Sequence, residues 1–236
     1  MKKMIFSCSA ALFTMMAPLC AGYDACCVEQ ENFQGFYVGG NLGVISHTAH
    51  RNDLDGFLTD NSGWSRVATG FAGGGQIGYD WKCDNRVFGL VFDFNGATPK
   101  HTLLDNPNVV DPDNFIKTSL DWFGTLRART GVEVCNSLIY LSAGFAFAHL
   151  DTKWNDDPNL FHNSNTRWGW AGSIGTEYLY CKNVSFGLEL YTMQFADNVK
   201  TYEDSDNPGT FFAFGHSDST WGARLMVNYR FGNICR

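Results

Sequence analysis

Three short segments of this chain bring together residue types used in nucleophilic catalysis. "GHSD" sets His216, Ser217 and Asp218 in a row, "FHNS" places His162 two residues before Ser164, and His149 follows a run of alternating apolar residues. A hydroxyl becomes a nucleophile when a base lies within hydrogen-bond reach and is itself oriented by a third group. That is a spatial arrangement, which adjacency in sequence does not supply. All three segments also fall in or beside long polar stretches, where solvated loop side chains are the ordinary case. The acidic run "DNPNVVDPDN" lacks the spacing of a calcium loop, and the sequence carries neither a Walker loop nor a dinucleotide fingerprint. The expectation is no catalytic residue, no cofactor-binding residue and no metal site.

Two other groups carry more information. The first is a set of charges that share one parity within alternating segments: Asp80, Asp93, Asp121, Glu177 and Glu189 against Arg127, Arg129, Arg224 and Arg230. The second is a set of thiols. Of the 8 cysteines, Cys8 and Cys20 sit near the start, leaving Cys26, Cys27, Cys83, Cys135, Cys181 and Cys235. What either group can do depends on the elements that hold it.

Those elements read as strands. Period-two alternation, the mark of a chain with two unlike faces, recurs in eight segments. The apolar set runs from Phe36 to Val44, Phe71 to Trp81, Phe88 to Phe94, Leu120 to Ala128, Ile139 to Phe147, Trp168 to Tyr180, Val184 to Leu190 and Trp221 to Phe231. A tilted transmembrane strand needs about 9–11 residues. Short connections around Cys83, "VEVCNSL" and "YCKNV" alternate with long polar ones near 46–66, 95–117, 150–166 and 196–218. Short turns on one side and long loops on the other belong to a membrane barrel. A soluble lipocalin-like barrel also has eight strands, but its large apolar residues would point inward. Here the opposite face holds Gly, Ala, Ser and charges. The expected fold is all-β, an eight-stranded antiparallel up-and-down transmembrane β-barrel.

In that fold the charges face a narrow lumen. Isolated charges there are costly, and paired, hydrogen-bonded ones are tolerable. We expect a lumen salt-bridge network, with Glu189 and Arg224 as neighbours on adjacent strands. An eight-stranded barrel is just wide enough for side chains to fill, which favours a plugged interior. The outer face would carry two aromatic belts at headgroup level. Trp122, Phe147, Trp168, Trp170 and Trp221 fall at the loop end; Phe36, Tyr79, Trp81, Phe88, Tyr178, Tyr180, Phe186, Tyr229 and Phe231 fall at the turn end. The cysteines all fall at the turn end, one in each short turn and three in the flanking segments. A radius of about 8 Å puts alternate turns about 11–12 Å apart, beyond the roughly 7 Å that a disulfide allows between Cα atoms. The turn thiols are therefore not expected to bridge one another; the flanking segments with Cys26, Cys27 and Cys235 could reach a turn, and another chain could reach all of them. A zinc cluster finds no paired CxxC spacing.

Composition agrees. Charged residues make up 17% and aromatics 15%, with 25 Gly, a balance suited to a surface that faces something other than water. "MKKMIFSCSAALFTMMAPLCAG" has the basic start, apolar core and small-residue end of a secretory leader. We expect a signal peptide over 1–22, an N-terminal cysteine-containing segment over 23–34, the barrel over 35–231 and a tail over 232–236. Removing Lys2 and Lys3 takes the balance to 15 bases against 24 acids, or −9. An exported acidic chain argues against nucleic acid as a partner.

The segments "GFYVGGNLG", "DWFGTLRARTG", "LIYLSAGFAFAH", "GWAGSIGTEY" and "LMVNYRF", in that order and spacing, resemble the small OmpA-like, porin-family outer-membrane barrels of Gram-negative bacteria. The resemblance runs from about Gln34 to Phe231, and Phe231 matches the family's terminal aromatic. It implies a closed barrel in outer-membrane lipid, with loops outside and turns and both termini periplasmic. It fixes no single activity. The expected role is structural, surface-exposed and non-enzymatic, with disulfide links at the periplasmic face to itself or to other envelope proteins. Alternatives are a small porin, an adhesin that binds host or environmental ligands through its loops and, more distantly, a lipid-modifying enzyme.

Overall fold

Successive side chains of an extended chain point to opposite faces, and this chain uses that rule to separate a polar interior from an apolar exterior. The computed structural model describes residues 33–53, 63–104, 115–156, 159–181, 183–196, 198–203 and 211–231. The expected leader, most of the N-terminal segment and the tail lie outside these residues. The strands are β1 (Gly35–Asp53), β2 (Gly63–Cys83), β3 (Arg86–Ala97), β4 (Lys100–Leu104), β5 (Phe115–Val134), β6 (Ser137–Asp156), β7 (Asn159–Cys181), β8 (Val184–Phe195), β9 (Asn198–Glu203) and β10 (Phe211–Arg230). The wall runs β1-β2-β3-β5-β6-β7-β8-β10 and closes through β1 with β10, from Tyr37 opposite Arg230 to Asp53 opposite Phe214. Every pairing is antiparallel. β4 and β9 continue β3 and β8 beyond interruptions, pairing with β5 and β10, so the barrel has eight staves. At the first interruption Pro99 lacks the donor a ladder needs. The Thr98 hydroxyl accepts from Phe71 N at 2.9 Å, and Pro99 O accepts from Leu120 N at 3.1 Å.

The turn end is built tightly. Asp84 and Cys135 take positive φ, 52° and 56°. Asn85, Asn136 and Asn183 hold the same place in the three turns, and the carbonyl of each accepts from the neighbouring hairpin: from Glu133 N at 2.9 Å, Leu179 N at 2.8 Å and Arg230 N at 2.7 Å. Cys83 is not itself a central turn residue. It ends β2 opposite Arg86.

The loop end differs from the sequence reading. Much of the four long polar stretches is strand: β1, β2, β5, β6, β7 and β10 run 19, 21, 20, 20, 23 and 20 residues. Roughly half of each exceeds the about 9–11 residues a spanning strand needs. Past the apolar band the alternation of residue types fades while the backbone ladder continues.

A second difference is a β-bulge. Leu120 pairs with Leu150 and Trp122 with His149, leaving Asp121 as the extra residue. The bulge puts both Leu120 and Phe123 inside, each 1% exposed. Asp121 is exposed, which corrects its expected place among the lumen charges. Strict period two fails across a bulge because two residues oppose one.

The outer face carries Leu42, Phe71, Leu90, Leu126, Leu141, Ile174, Leu188 and Leu225, all exposed. Rings bound the band. At the loop end Phe94, Trp122, Phe147 and Trp168 form a chain with centroids 5.4, 6.2 and 5.7 Å apart. At the turn end Tyr79 meets Trp81 at 4.8 Å, Tyr229 meets Phe231 at 5.0 Å, and Phe36 meets Phe231 at 5.7 Å. Trp170, Trp221 and Tyr180 also face outward. On β10 the band from Trp221 to Phe231 is about 25 Å tall at a tilt near 40°.

The inner face alternates large with small. Tyr37 lies opposite Gly78, Tyr140 opposite Gly175, Tyr191 opposite Gly222 and Met226 opposite Gly187. At each of these glycines a Cβ would collide with its large partner, so the glycines are spaces that the large side chains cross.

The depth of the band is testable. Leu225→Arg, near its middle, is expected to lower unfolding stability in lipid vesicles by about 2–4 kcal/mol. Ser219→Arg, on the same face beyond Trp221, is expected to cost about 1 kcal/mol or less. Equal losses in urea titrations would contradict the assignment.

Candidate functional site

The lumen charges are drawn into two closed circuits. β2, β5, β7 and β10 are alternate staves, and each contributes one residue to the lower circuit: Asp80, Arg129, Glu177 and Arg230. Arg129 grips Asp80 with Nε on Oδ1 at 2.7 Å and with Nη2 on Oδ2, and its Nη1 lies 3.2 Å from Glu177 Oε2. Arg230 closes the square, Nη2 to Glu177 Oε1 at 2.7 Å and Nη1 to Asp80 Oδ2 at 2.8 Å. All four edges are ion pairs and the signs alternate.

The upper circuit repeats the alternation of signs but draws on two pairs of adjacent staves: Asp93 (β3) with Arg127 (β5), and Glu189 (β8) with Arg224 (β10). Arg127 reaches Asp93 Oδ2 at 2.9 Å and Glu189 Oε1 at 2.9 Å. Arg224 lies opposite Glu189 in register and 2.8 Å from its Oε1, and 3.2 Å from Asp93 Oδ2. Each circuit holds two acids and two bases and is neutral. Arg127 and Arg129, two residues apart on one strand face, belong to different circuits.

Neutral neighbours take up much of the remaining hydrogen-bonding capacity, although Arg230 Nε has no hydrogen-bond partner among the described residues. Thr125 Oγ1 donates to Asp93 at 2.5 Å, Asn95 Nδ2 to Asp93 at 2.7 Å, and Tyr140 Oη to Glu189 at 2.7 Å. Arg127 also donates to Ser142 and Ser173 at 3.0 and 2.7 Å. In the lower circuit Ser185 Oγ and Asn228 Nδ2 donate to Glu177 Oε1 at 2.5 and 2.9 Å, and Gln76 fixes Asn228 at 2.6 Å. Guanidinium groups lie over rings: Arg129 over Tyr37 and Tyr140, Arg224 over Tyr191. These neutral partners share strand parity with the charges, so the same alternation could have found them.

Apolar layers close both sides. Ile45, Leu120, Phe123, Met193 and Phe195 pack on the loop side of the upper circuit, and Phe33, Val87, Leu138 and Leu179 on the turn side of the lower one, with Tyr140 reaching from that cluster up to Glu189. Outside the first layer, Arg167 pairs with Asp218 at 2.6 Å, His47 Nε2 lies 3.8 Å from the same carboxylate, and His47 Nδ1 meets Thr220 Oγ1 at 3.0 Å. Outside the second, Lys82 pairs with Glu133 at 2.7 Å. A pore would need water where these layers stand.

The other candidates separate. Ser217 and Asp218 are consecutive on β10 and face opposite sides, and Asp218 is used by Arg167 and His47. His162 and Ser164 lie on β7 opposite Lys153 and Asp151. His149 stacks flat on Trp122, 5.1 Å away at 2°. Cys83 and Cys135 are free and exposed. Cys181 ends β7 opposite Val184, and Cys26, Cys27 and Cys235 lie outside the described residues. Among the described residues no group of His, Cys, Asp or Glu could hold a metal ion.

A family model described as the outer membrane protein beta-barrel domain matches residues 6–231. The chain is 29% identical over 210 residues to the 31 kDa outer-membrane immunogenic protein of Brucella melitensis, covering 81% of this chain and 87% of that protein. It is 25% identical over 200 residues to the 22 kDa outer membrane protein of Rhizobium leguminosarum, covering 85% and 79%. Among solved structures, the outer membrane protein OprG of Pseudomonas aeruginosa shares the fold with a TM-score of 0.54 at 15% identity, over 86% of this chain and 98% of that one. The outer membrane protease OmpT of Escherichia coli gives 0.51 at 9%, over 86% and 100%.

Removing one circuit member strands its neighbours. Arg127→Met is expected to cost about 3–5 kcal/mol, the scale for an uncompensated buried charge. Asp121→Asn, outside both circuits, should change stability by about 0.5 kcal/mol or less. Denaturant titration in vesicles compares them, and similar losses would count against the circuits as the interior's main constraint.

Proposed function

The chain belongs to the outer membrane protein β-barrel family, and from that premise we propose that it is a closed, non-enzymatic barrel that displays long hairpins outside the cell and is held at its inner face by disulfides. Its place is the outer membrane. The observation that carries the closed reading is the pair of complete salt-bridge circuits between two apolar layers: an eight-stranded lumen has little room left for solute once side chains cross it.

Orientation follows the family rule that short turns face the periplasm and long connections the outside. The hairpin arms beyond the band are then presented at the surface. The Brucella relative's name calls it immunogenic, and surface display of these arms supports a similar antigenic exposure here. The same arms suit contact with a host or environmental ligand, the second reading.

The cysteines supply the structural role. Cys83 and Cys135 are exposed at the turn end, where Cys181 also lies, and the periplasm is an oxidising compartment. Strand spacing separates alternate turns by more than the disulfide limit, so each turn thiol suits a bond to another envelope protein or a second copy.

Two measurements test this. In planar bilayers the wild-type barrel is expected to show no stable unitary conductance, and a steady open level would contradict the closed lumen. On non-reducing gels of native envelopes the protein should migrate as high-mass species that reductant collapses. A Cys83→Ser, Cys135→Ser, Cys181→Ser variant should shift most of the material to monomer; a wild-type protein that runs as monomer under both conditions would refute the linkage.

A further inference from the structure

One aromatic residue inside the barrel comes from no strand. Phe33 precedes β1, yet it is 0% exposed. Gly35, the first residue of β1, takes φ 113°, a conformation that side chains other than glycine's rarely adopt, and the chain bends there. The Phe33 ring lies in a pocket whose walls come from separate staves: Val87 of β3, Leu138 and Tyr140 of β6, and Leu179 of β7. The Arg230 guanidinium lies 4.9 Å from the ring centroid. Its Nη1 donates to Phe33 O at 2.8 Å and to Asp80 Oδ2 at the same distance. One nitrogen therefore joins the segment before β1 to the lower circuit.

We propose that the turn-end mouth is a binding pocket for a phenyl side chain and its carbonyl, filled by the chain's own Phe33, and that this residue seals the lower circuit from periplasmic water. Val87, Leu138 and Leu179 line one arc of the wall from β3 to β7 and Arg230 faces that arc from β10, so the wall strands by themselves leave the space between them open. A cation over a ring face is favourable and more so when desolvated, which suits an aromatic occupant over an aliphatic one. Gly35 is the positioning residue: a Cβ at that φ would oppose the bend that carries Phe33 inward. The seal is a removable part of the closure, whereas the circuits are fixed in the wall.

The inference rests on the closed-lumen reading, and its test is separate from it, since wild-type conductance probes the lumen and a variant-specific change probes the plug. The measurement is solvent exchange of arginine Nε–H protons by NMR on the full chain in lipid nanodiscs. In Phe33→Ala, Arg129 and Arg230 are expected to exchange severalfold faster than in wild type, with Arg127 and Arg224 unchanged. Gly35→Ala should reproduce this with Phe33 still in the chain, and Phe33→Leu, which still fills the pocket, should keep exchange slow. Unchanged exchange at Arg129 and Arg230 in Phe33→Ala would overturn the proposal. So would equal acceleration in both circuits, which would mean a loosened barrel and no local seal.

Discussion

A charge removed from water must meet its counter-charge, and the interior of this barrel is organised around that requirement. Eight acidic and basic side chains share a lumen just wide enough for side chains to fill. Pairwise bridges would satisfy each group once and leave part of its capacity unmet. The alternating circuits satisfy each group twice, along two edges, with hydroxyls, amides and a phenol taking up much of the rest. In such surroundings a salt bridge adds little net stability over an apolar core and makes any incomplete arrangement expensive. The circuits therefore select one strand register. A slip of one strand by a single residue would move that strand's charges to the lipid face.

The rest of the chain accommodates this centre. Glycines opposite Tyr37, Tyr140, Tyr191 and Met226 let large side chains lie across the wall. Apolar layers on either side keep water from the ion pairs. Outside, aromatic rings border the apolar band, and Asn85, Asn136 and Asn183 tie each turn to the next hairpin.

Much of this was legible in the sequence, because the barrel has one dominant rule. Alternation placed eight strands and both belts, and put Glu189 and Arg224 on adjacent staves. The rule failed where geometry departs from it. Asp121 shares the parity of the lumen charges, but a bulge turns it outward and brings Leu120 in. The hairpin arms mix polar and apolar residue types without strict alternation, so no pattern distinguished them from loops. Closure of the circuits joins staves far apart in sequence: Asp93 meets Arg224, and Asp80 meets Arg230. Phe33 lay before the first alternating run and depends on the backbone of Gly35. None of these carries a periodic signal.

Exchanging the signs across one edge separates charges that act as circuits from charges that act as separate pairs. In an isolated pair, Glu189→Arg combined with Arg224→Glu would restore the bond that either change breaks. In the upper circuit the same exchange sets Glu at 224 beside Asp93 and Arg at 189 beside Arg127. The double variant, titrated with urea in lipid vesicles, is expected to be no more stable than the less stable single variant. Recovery to near wild-type stability would contradict it.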